Sequence, residues 1–332
     1  MYQEVVLPQP YRTQLPGKLA PSSLTCFLRT MLKRPELGAR VSKLAVWVWK
    51  GKLIRSSVDP KKESFCACGT CMKALSPLVD RLKLSSREKE GWTRDLSGPT
   101  EAAVRALIFT SLPNLKTLEL SAKPLPIRKD EASELLARFQ KSNLLDVSRL
   151  AQGLAITSVT TLTLSANLNG ISVARLPAVT TLTLDYSESN PFVTVCKGHF
   201  ANITTLKIQT EPDGENQSRY TEKLDTLFRG IPKVTSIEFE SPSAETFCTL
   251  PQHMQALSFQ DAHYGTLDWL HNHLSDRKTL PSALRCIDMH WLRDMYKPDD
   301  SSDRWPGIRQ LAMDAGIKVN VWWHGELVQV FE

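Results

Sequence analysis

Apolar residues recur along the chain in one frame, apolar-x-x-apolar-x-apolar. It is clearest where the sequence nearly repeats itself, as SVTTLTLSAN at 158–167 and AVTTLTLDYS at 178–187. In these copies the frame reads Val159/Leu162/Leu164 and Val179/Leu182/Leu184. It returns at Leu115/Leu118/Leu120, Ile203/Leu206/Ile208, Val234/Ile237/Phe239, Met254/Leu257/Phe259 and Leu284/Ile287/Met289. Val41/Leu44/Val46 reads as an early copy, and Val319/Val321 as a terminal strand. The last two apolar positions lie two residues apart, the spacing at which a strand aims both side chains at one face. The first sits on the turn leading into the strand. From Val159 onward, successive frames begin 20, 24, 31, 20 and 30 residues apart, in or near the range of leucine-rich repeats.

Between frames the apolar period becomes helical. GPTEAAVRALIF places Pro99 near a helix start, with Val104, Leu107 and Ile108 on one stripe. DEASELLARF, TEKLDTLFRG, GTLDWLHNHL and SSDRWPGIRQLAMDAG behave alike, and Gly230 and Gly316 stand where helix-ending glycines belong. A lone strand and helix cannot bury both apolar faces, whereas stacked neighbours can. The expected fold is α/β: an irregular leucine-rich-repeat-like solenoid, parallel strands on its concave face and helices on its convex face. A less regular α/β domain is the alternative. The asparagine of the commonest repeat consensus occurs once, at Asn167, so other hydrogen bonds must hold the turns.

Residues 1–100 are less periodic and read as a helical and strand cap with a cysteine-containing loop; residues 101–332 read as the solenoid with its C-terminal cap. In SSLTCFLRTMLKRPELGARVSKLAVWV, Ser22 or Ser23 caps a helix bearing Leu24, Phe27, Leu28, Met31 and Leu32. Pro35 breaks that helix, a short turn follows, and a strand covers about Leu44–Val48. VVL at 5–7, FLRTMLKRPELGARVSKLAV at 27–46, and the LPNLKTLEL and VTTLTL frames together give the chain its likeness. On these residues it resembles the fungal F-box and leucine-rich-repeat-like proteins. The resemblance implies a repeat surface that holds a substrate protein for ubiquitination, while an F-box docks on the ligase scaffold. The chain opens at MYQEVVL, about where an F-box would have ended, so scaffold docking is not expected of it.

A length of 332 residues exceeds what one compact core usually fills, and 42% hydrophobic with 23% charged residues is ordinary for a soluble globular protein. The net charge of +6 is dispersed, without the concentrated Lys and Arg of a nucleic-acid binder. No stretch approaches the roughly 20 apolar residues of a membrane span, and no secretory signal is evident. A cytoplasmic or nuclear location is expected, with the seven cysteines as free thiols.

Cys66, Cys68 and Cys71 form the sharpest local cluster, but a structural zinc site takes four ligands. They are weak metal candidates beside the simpler reading of a flexible loop. His271 and His273 lie two apart on a helix and so face different ways. No nucleophile elbow, P-loop or dinucleotide fingerprint occurs, and neither cofactor nor catalytic residue is implied.

Strand alternation supplies the stronger surface. Residues flanking the inward positions face outward: Thr117 and Glu119, Thr161 and Thr163, Thr181, Thr183 and Asp185, Thr205 and Lys207, Ser236, Glu238 and Glu240, Ser258 and Gln260, Asp288 and His290. Glu119, Asp185, Glu238, Glu240 and Asp288 stand against one base, Lys207. Such a row disfavours a phosphate backbone and suits a basic segment of a partner protein. The plainer alternative is a row of solvated strand residues. The partner-binding candidates are Glu119, Thr163, Asp185, Lys207, Glu238, Glu240, Gln260, Asp288 and His290. Trp322, Trp323, Val328, Val330 and Phe331 are expected to close the last repeat, with partner anchoring as the alternative. A non-enzymatic protein-interaction module is the leading expectation; an enzyme or metal-dependent protein using the cysteine cluster is its rival.

Overall fold

The structure, a computed structural model, describes residues 4–7, 23–49, 69–97, 101–123, 152–153, 157–165, 178–186, 202–210, 224, 227–240, 250–262, 264–291 and 304–331. The chain is mixed α/β with mostly parallel strand pairing. It divides into two compact units, Met1–Val179 and Thr180–Glu332.

In the first unit, β1 (Glu4–Leu7), β2 (Lys43–Trp49), β3 (Thr117–Lys123) and β4 (Thr161–Ser165) pair in chain order, all parallel. Helices α1 (Ser23–Lys33), α2 (Pro35–Gly38), α3 (Gly69–Arg81), α4 (Ser86–Ser97) and α5 (Glu101–Thr110) come between them. In the second unit, β5 (Thr181–Tyr186), β6 (Thr205–Thr210), β7 (Ser236–Glu240), β8 (Ala256–Gln260), β9 (Cys286–Trp291) and β10 (Lys318–Trp323) pair in the same parallel manner. The last strand, β11 (Glu326–Phe331), returns antiparallel to β10. Helix α6 (Tyr264–Ser275) precedes β9, and α7 (Arg304–Ala315) precedes β10.

The repeated frame is the core. In the first unit Leu44, Leu118 and Leu162 share one register row, and Val46, Leu120 and Leu164 the next. In the second, Leu182, Leu206, Ile237, Leu257, Ile287 and Val319 form one row, with Leu184, Ile208, Phe239, Phe259, Met289 and Val321 beside it. Every one of these is at most 2% exposed. Burying each contributes about 1.5–3 kcal/mol, which is why a period-two pattern of large side chains dictates the strands.

Turn chemistry delivers the first apolar residue of each frame. Leu115 N–H donates to Leu112 O at 3.2 Å across Pro113, and Val234 N–H to Ile231 O at 3.4 Å across Pro232. Proline pre-sets the φ of the second turn position. Met254 and Leu284 are seated by equivalent bonds to Pro251 O and Pro281 O.

Just before six of the strands, one carbonyl accepts two N–H groups from the following rung. Ser42 O takes Lys116 and Thr117, and Lys116 O takes Thr160 and Thr161. In the second unit Thr180 O takes Thr204 and Thr205, Thr204 O takes Thr235 and Ser236, Thr235 O takes Gln255 and Ala256, and Gln255 O takes Arg285 and Cys286. This backbone ladder does the work expected of consensus asparagines.

Pro35 ends α1 and opens α2, as expected, while Leu28 and Met31 bury the inner face of α1. Helix α5 falls on the predicted stretch and buries Val104, Leu107 and Ile108. Helix α3 corrects the loop reading at Cys71, and helix α4 forms over a stretch for which the sequence reading names no element. Cys71 falls within helix α3, and Cys66 and Cys68 lie outside the described residues. Helix α4 is started by a capping box: Ser85 N–H donates to Glu88 Oε2 at 2.9 Å, and Glu88 N–H to Ser85 Oγ at 3.4 Å. Its buried Trp92 donates to Gln152 Oε1 at 2.8 Å. DEASELLARF lies outside the described residues.

Helices α6 and α7 occupy the predicted stretches. Trp269 of α6 meets Phe259 edge-on, ring centroids 5.3 Å apart, tying that helix to the strand core. Helix α7 stops at Gly316, where φ is +63°, with Ile317 N–H closing on Ala312 O and Gly316 N–H on Met313 O. Among the described residues no helix is long and apolar enough to cross a membrane.

Candidate functional site

Strand pleating puts one set of side chains opposite the core, and parallel pairing sets them in rows. In the first unit Glu119 stands in register with Thr163, both half-buried. In the second unit one row runs Thr183, Lys207, Glu238, Ser258, Asp288 and Asn320, one residue per strand. A neighbouring row carries Asp185, Gln209, Glu240 and Gln260. On β9 to β11 the corresponding positions are His290, Trp322 and Leu327.

The row is internally bonded. Lys207 Nζ lies 2.6 Å from Glu238 Oε2, a cross-strand ion pair with side chains 41% and 24% exposed. At that exposure it contributes at most about 1 kcal/mol. It consumes the single base of the row, so the negative charge gathers at exposed Glu240 and at Asp288.

Asp288 is the hub of the far end. Its Oδ1 accepts from Asn320 Nδ2 at 2.8 Å and from Trp322 Nε1 at 3.4 Å. The Cys286 thiol approaches the two carboxylate oxygens at 4.0 and 3.9 Å. His290 lies flat against Trp322, centroids 5.4 Å apart and planes 9° from parallel. Burial holds the His290 pKa below its ordinary value, with Lys207 acting the same way and Asp288 and Glu238 opposing. Burial pushes the Cys286 thiol up, Asp288 adds to the effect, and Lys318 opposes it. Cys286 is therefore a protonated thiol at neutral pH and a poor nucleophile.

The C-terminal strand corrects one expectation. Val328 and Val330 are 48% and 39% exposed, as is Leu327 at 48%, so β11 does not bury these three residues as a closing cap. The cause is the hairpin: His324 and Gly325 take φ of +46° and +84°, the geometry of a two-residue type I′ turn. This turn folds β11 back beside β10, level with the face that carries Trp322. Leu327 pairs opposite Trp322 and Val330 opposite Asn320.

The cysteine cluster is not assembled within the described residues, and among them no three His, Cys, Asp or Glu could hold a metal ion. His271 is exposed, whereas His273 Nδ1 sits 2.9 Å from Trp269 O with its ring stacked on that indole. Asn320 and Cys286 are the site residues the sequence reading missed; Trp322 it named only as a closing residue, with partner anchoring as the alternative. Extending the alternation through Val319 and Val321 would have sent Asn320 and Trp322 outward. No protein-family model, curated protein or solved structure matches this chain.

Proposed function

We propose that the chain is a non-enzymatic protein-interaction module, a leucine-rich-repeat-like solenoid that holds a partner protein on its strand face and rim loops. The observation that carries this reading is the in-register polar row of the second unit, from Thr183 to Asn320. Its side chains are fixed by one another, Lys207 by Glu238 and Asp288 by Asn320 and Trp322. A surface ordered before contact loses little side-chain entropy on binding, which favours recognition. The raised pKa of Cys286 and the lowered pKa of His290 fit neutral groups packed for shape.

The resemblance to fungal F-box and leucine-rich-repeat-like proteins extends the proposal: the held partner is a substrate selected for ubiquitination. Proximity labelling in the native cell tests both parts. The double variant Glu238→Lys, Glu240→Lys should lose reproducible partners that the Arg309→Glu variant, on exposed α7, keeps. Unchanged labelling in the double variant removes the strand-face assignment. Absence of ligase components from the reproducible set removes the ubiquitin extension alone.

A further inference from the structure

We infer that the C-terminal end of the strand face, around Asp288 and Trp322, is its anchor point, and that it takes a partner segment presenting a lysine or arginine beside an apolar side chain. This rests on the interaction-module reading and says which chemistry the partner must bring.

The chemistry of the face changes along the row. On β5 to β8 Thr183 is buried, and the face offers Lys207, Glu238 and Ser258, small or mutually neutralised groups. From β9 onward it offers a carboxylate, an aromatic stack and exposed aliphatics. Binding energy at protein interfaces concentrates on aromatic and well-packed apolar anchors, so this end carries more of it.

Among the described residues the side chains that donate to Asp288 are an amide, an indole N–H and a thiol, none of them cationic. Both nitrogen donors land on Oδ1, at 2.8 and 3.4 Å; among the described residues Oδ2 meets only the Cys286 thiol, at 3.9 Å. A carboxylate offers about four lone-pair sites, so Oδ2 has capacity for a strong donor. The indole N–H bond to Asp288 also fixes the Trp322 ring beside that oxygen, and the His290 stack braces it. A carboxylate held next to an indole plane is complementary to an ammonium or guanidinium, which gains from both the charge and the ring.

The neighbouring positions call for something apolar. Leu327 and Val330, opposite Trp322 and Asn320 on either side of a register shift in β11, are 48% and 39% exposed. Exposed Glu240 adds negative potential along the same face, which draws a basic segment and repels an acidic or phosphorylated one.

A random peptide library displayed on phage, selected against the full chain, tests the inference. The expected consensus is Lys or Arg adjoining Leu, Ile, Val, Phe or Met. Affinity of the best synthetic peptide should fall about tenfold or more in Asp288→Lys and in Trp322→Ala. Asp288→Asn keeps an acceptor for Asn320 and Trp322 and removes only the charge; it should weaken binding while its urea midpoint stays near the parent's. Binders without a basic residue, or binders lost in Glu238→Lys but untouched in Asp288→Lys and Trp322→Ala, overturn the inference and leave the strand-face reading standing. Self-association of the chain that Leu327→Ser abolishes, with no peptide bound at this end, overturns it in favour of a second copy. Binders indifferent to all these substitutions, or no binder at all, overturn both readings.

Discussion

Phe259→Ala is the sharpest test of the rung architecture. Phe259 is fully buried, sits in register between Phe239 and Met289, and meets Trp269 of α6 edge-on at 5.3 Å. Truncating a buried Phe costs about 3–5 kcal/mol through lost transfer energy and the residual cavity. Neighbours on both strands and on the helix are held by their own rungs, so the hole cannot close easily. The upper half of that range follows, about 4 kcal/mol, or nearly a thousandfold in the folded-to-unfolded ratio. Urea unfolding, followed by tryptophan fluorescence and far-UV circular dichroism, reads the effect. With a slope of about 3 kcal/mol per molar, the midpoint drops by about 1.3 M. Gln260, the next residue, points the other way, and its amide makes a 3.5 Å contact with Ser258 Oγ. Gln260→Ala should therefore stay within about 0.5 kcal/mol of the parent. Equal losses from the two substitutions, or a loss below about 1 kcal/mol for Phe259→Ala, would refute the claim that alternation across shared rungs holds the fold.

Gly316→Ala should cost about 1–2 kcal/mol, read as a lower melting temperature. A Cβ there meets nothing within 4 Å, so the cost is conformational, from φ of +63°, and Gly316→Asn should recover part of it. Gly153→Ala has the opposite origin: its Cβ would stand 2.8 Å from Ala106 backbone atoms, and overpacking there should cost about 1–3 kcal/mol. For His290 the folded pKa lies below the ordinary 6.5, so below that pH the unfolded chain binds a proton the folded chain does not. Stability should fall as pH drops from about 6.5 toward the folded-state pKa and then level off, and His290→Gln should remove that segment of the stability profile. Iodoacetamide at neutral pH should label exposed Cys26 faster than Cys286, whose thiol is half-buried and held protonated; equal rates would contradict the packing around Asp288.

Large apolar residues at period two, preceded by a third three positions earlier, made the strands legible without any structure. All three positions of each frame are buried, and the outward row follows from the same parity. Helix α4 was illegible for a physical reason: SREKEGWTRDLS is almost wholly polar, and among its described side chains only Trp92 and Leu96 are buried. The Ser85–Glu88 capping box was the readable signal in that stretch. In the candidate site, parity showed which residues face outward but not which ones meet. Lys207 finds Glu238 across 31 residues of sequence, and Asn320 finds Asp288 across 32. Those partnerships depend on strand register, which in turn depends on how much chain is spent between frames. Residues whose inward neighbours are plain valines, as around Asn320, were easily passed over because this strand lacks the full triplet spelling: Gly316 stands three before Val319, and the buried Ile317 only two before it.

The doubly accepting carbonyls before six of the strands have a further consequence. Because main-chain atoms make the splice from one rung to the next, no particular side chain is demanded at the joint: Ser42, Lys116, Thr180, Thr204, Thr235 and Gln255 all serve. Only the splice is standardised, so the length of the intervening excursion is left unconstrained, and it ranges from 20 to 31 residues between frames after Val159. Such a chain can lengthen or reshape its loops one at a time, altering what lies along its margins without re-registering a single strand.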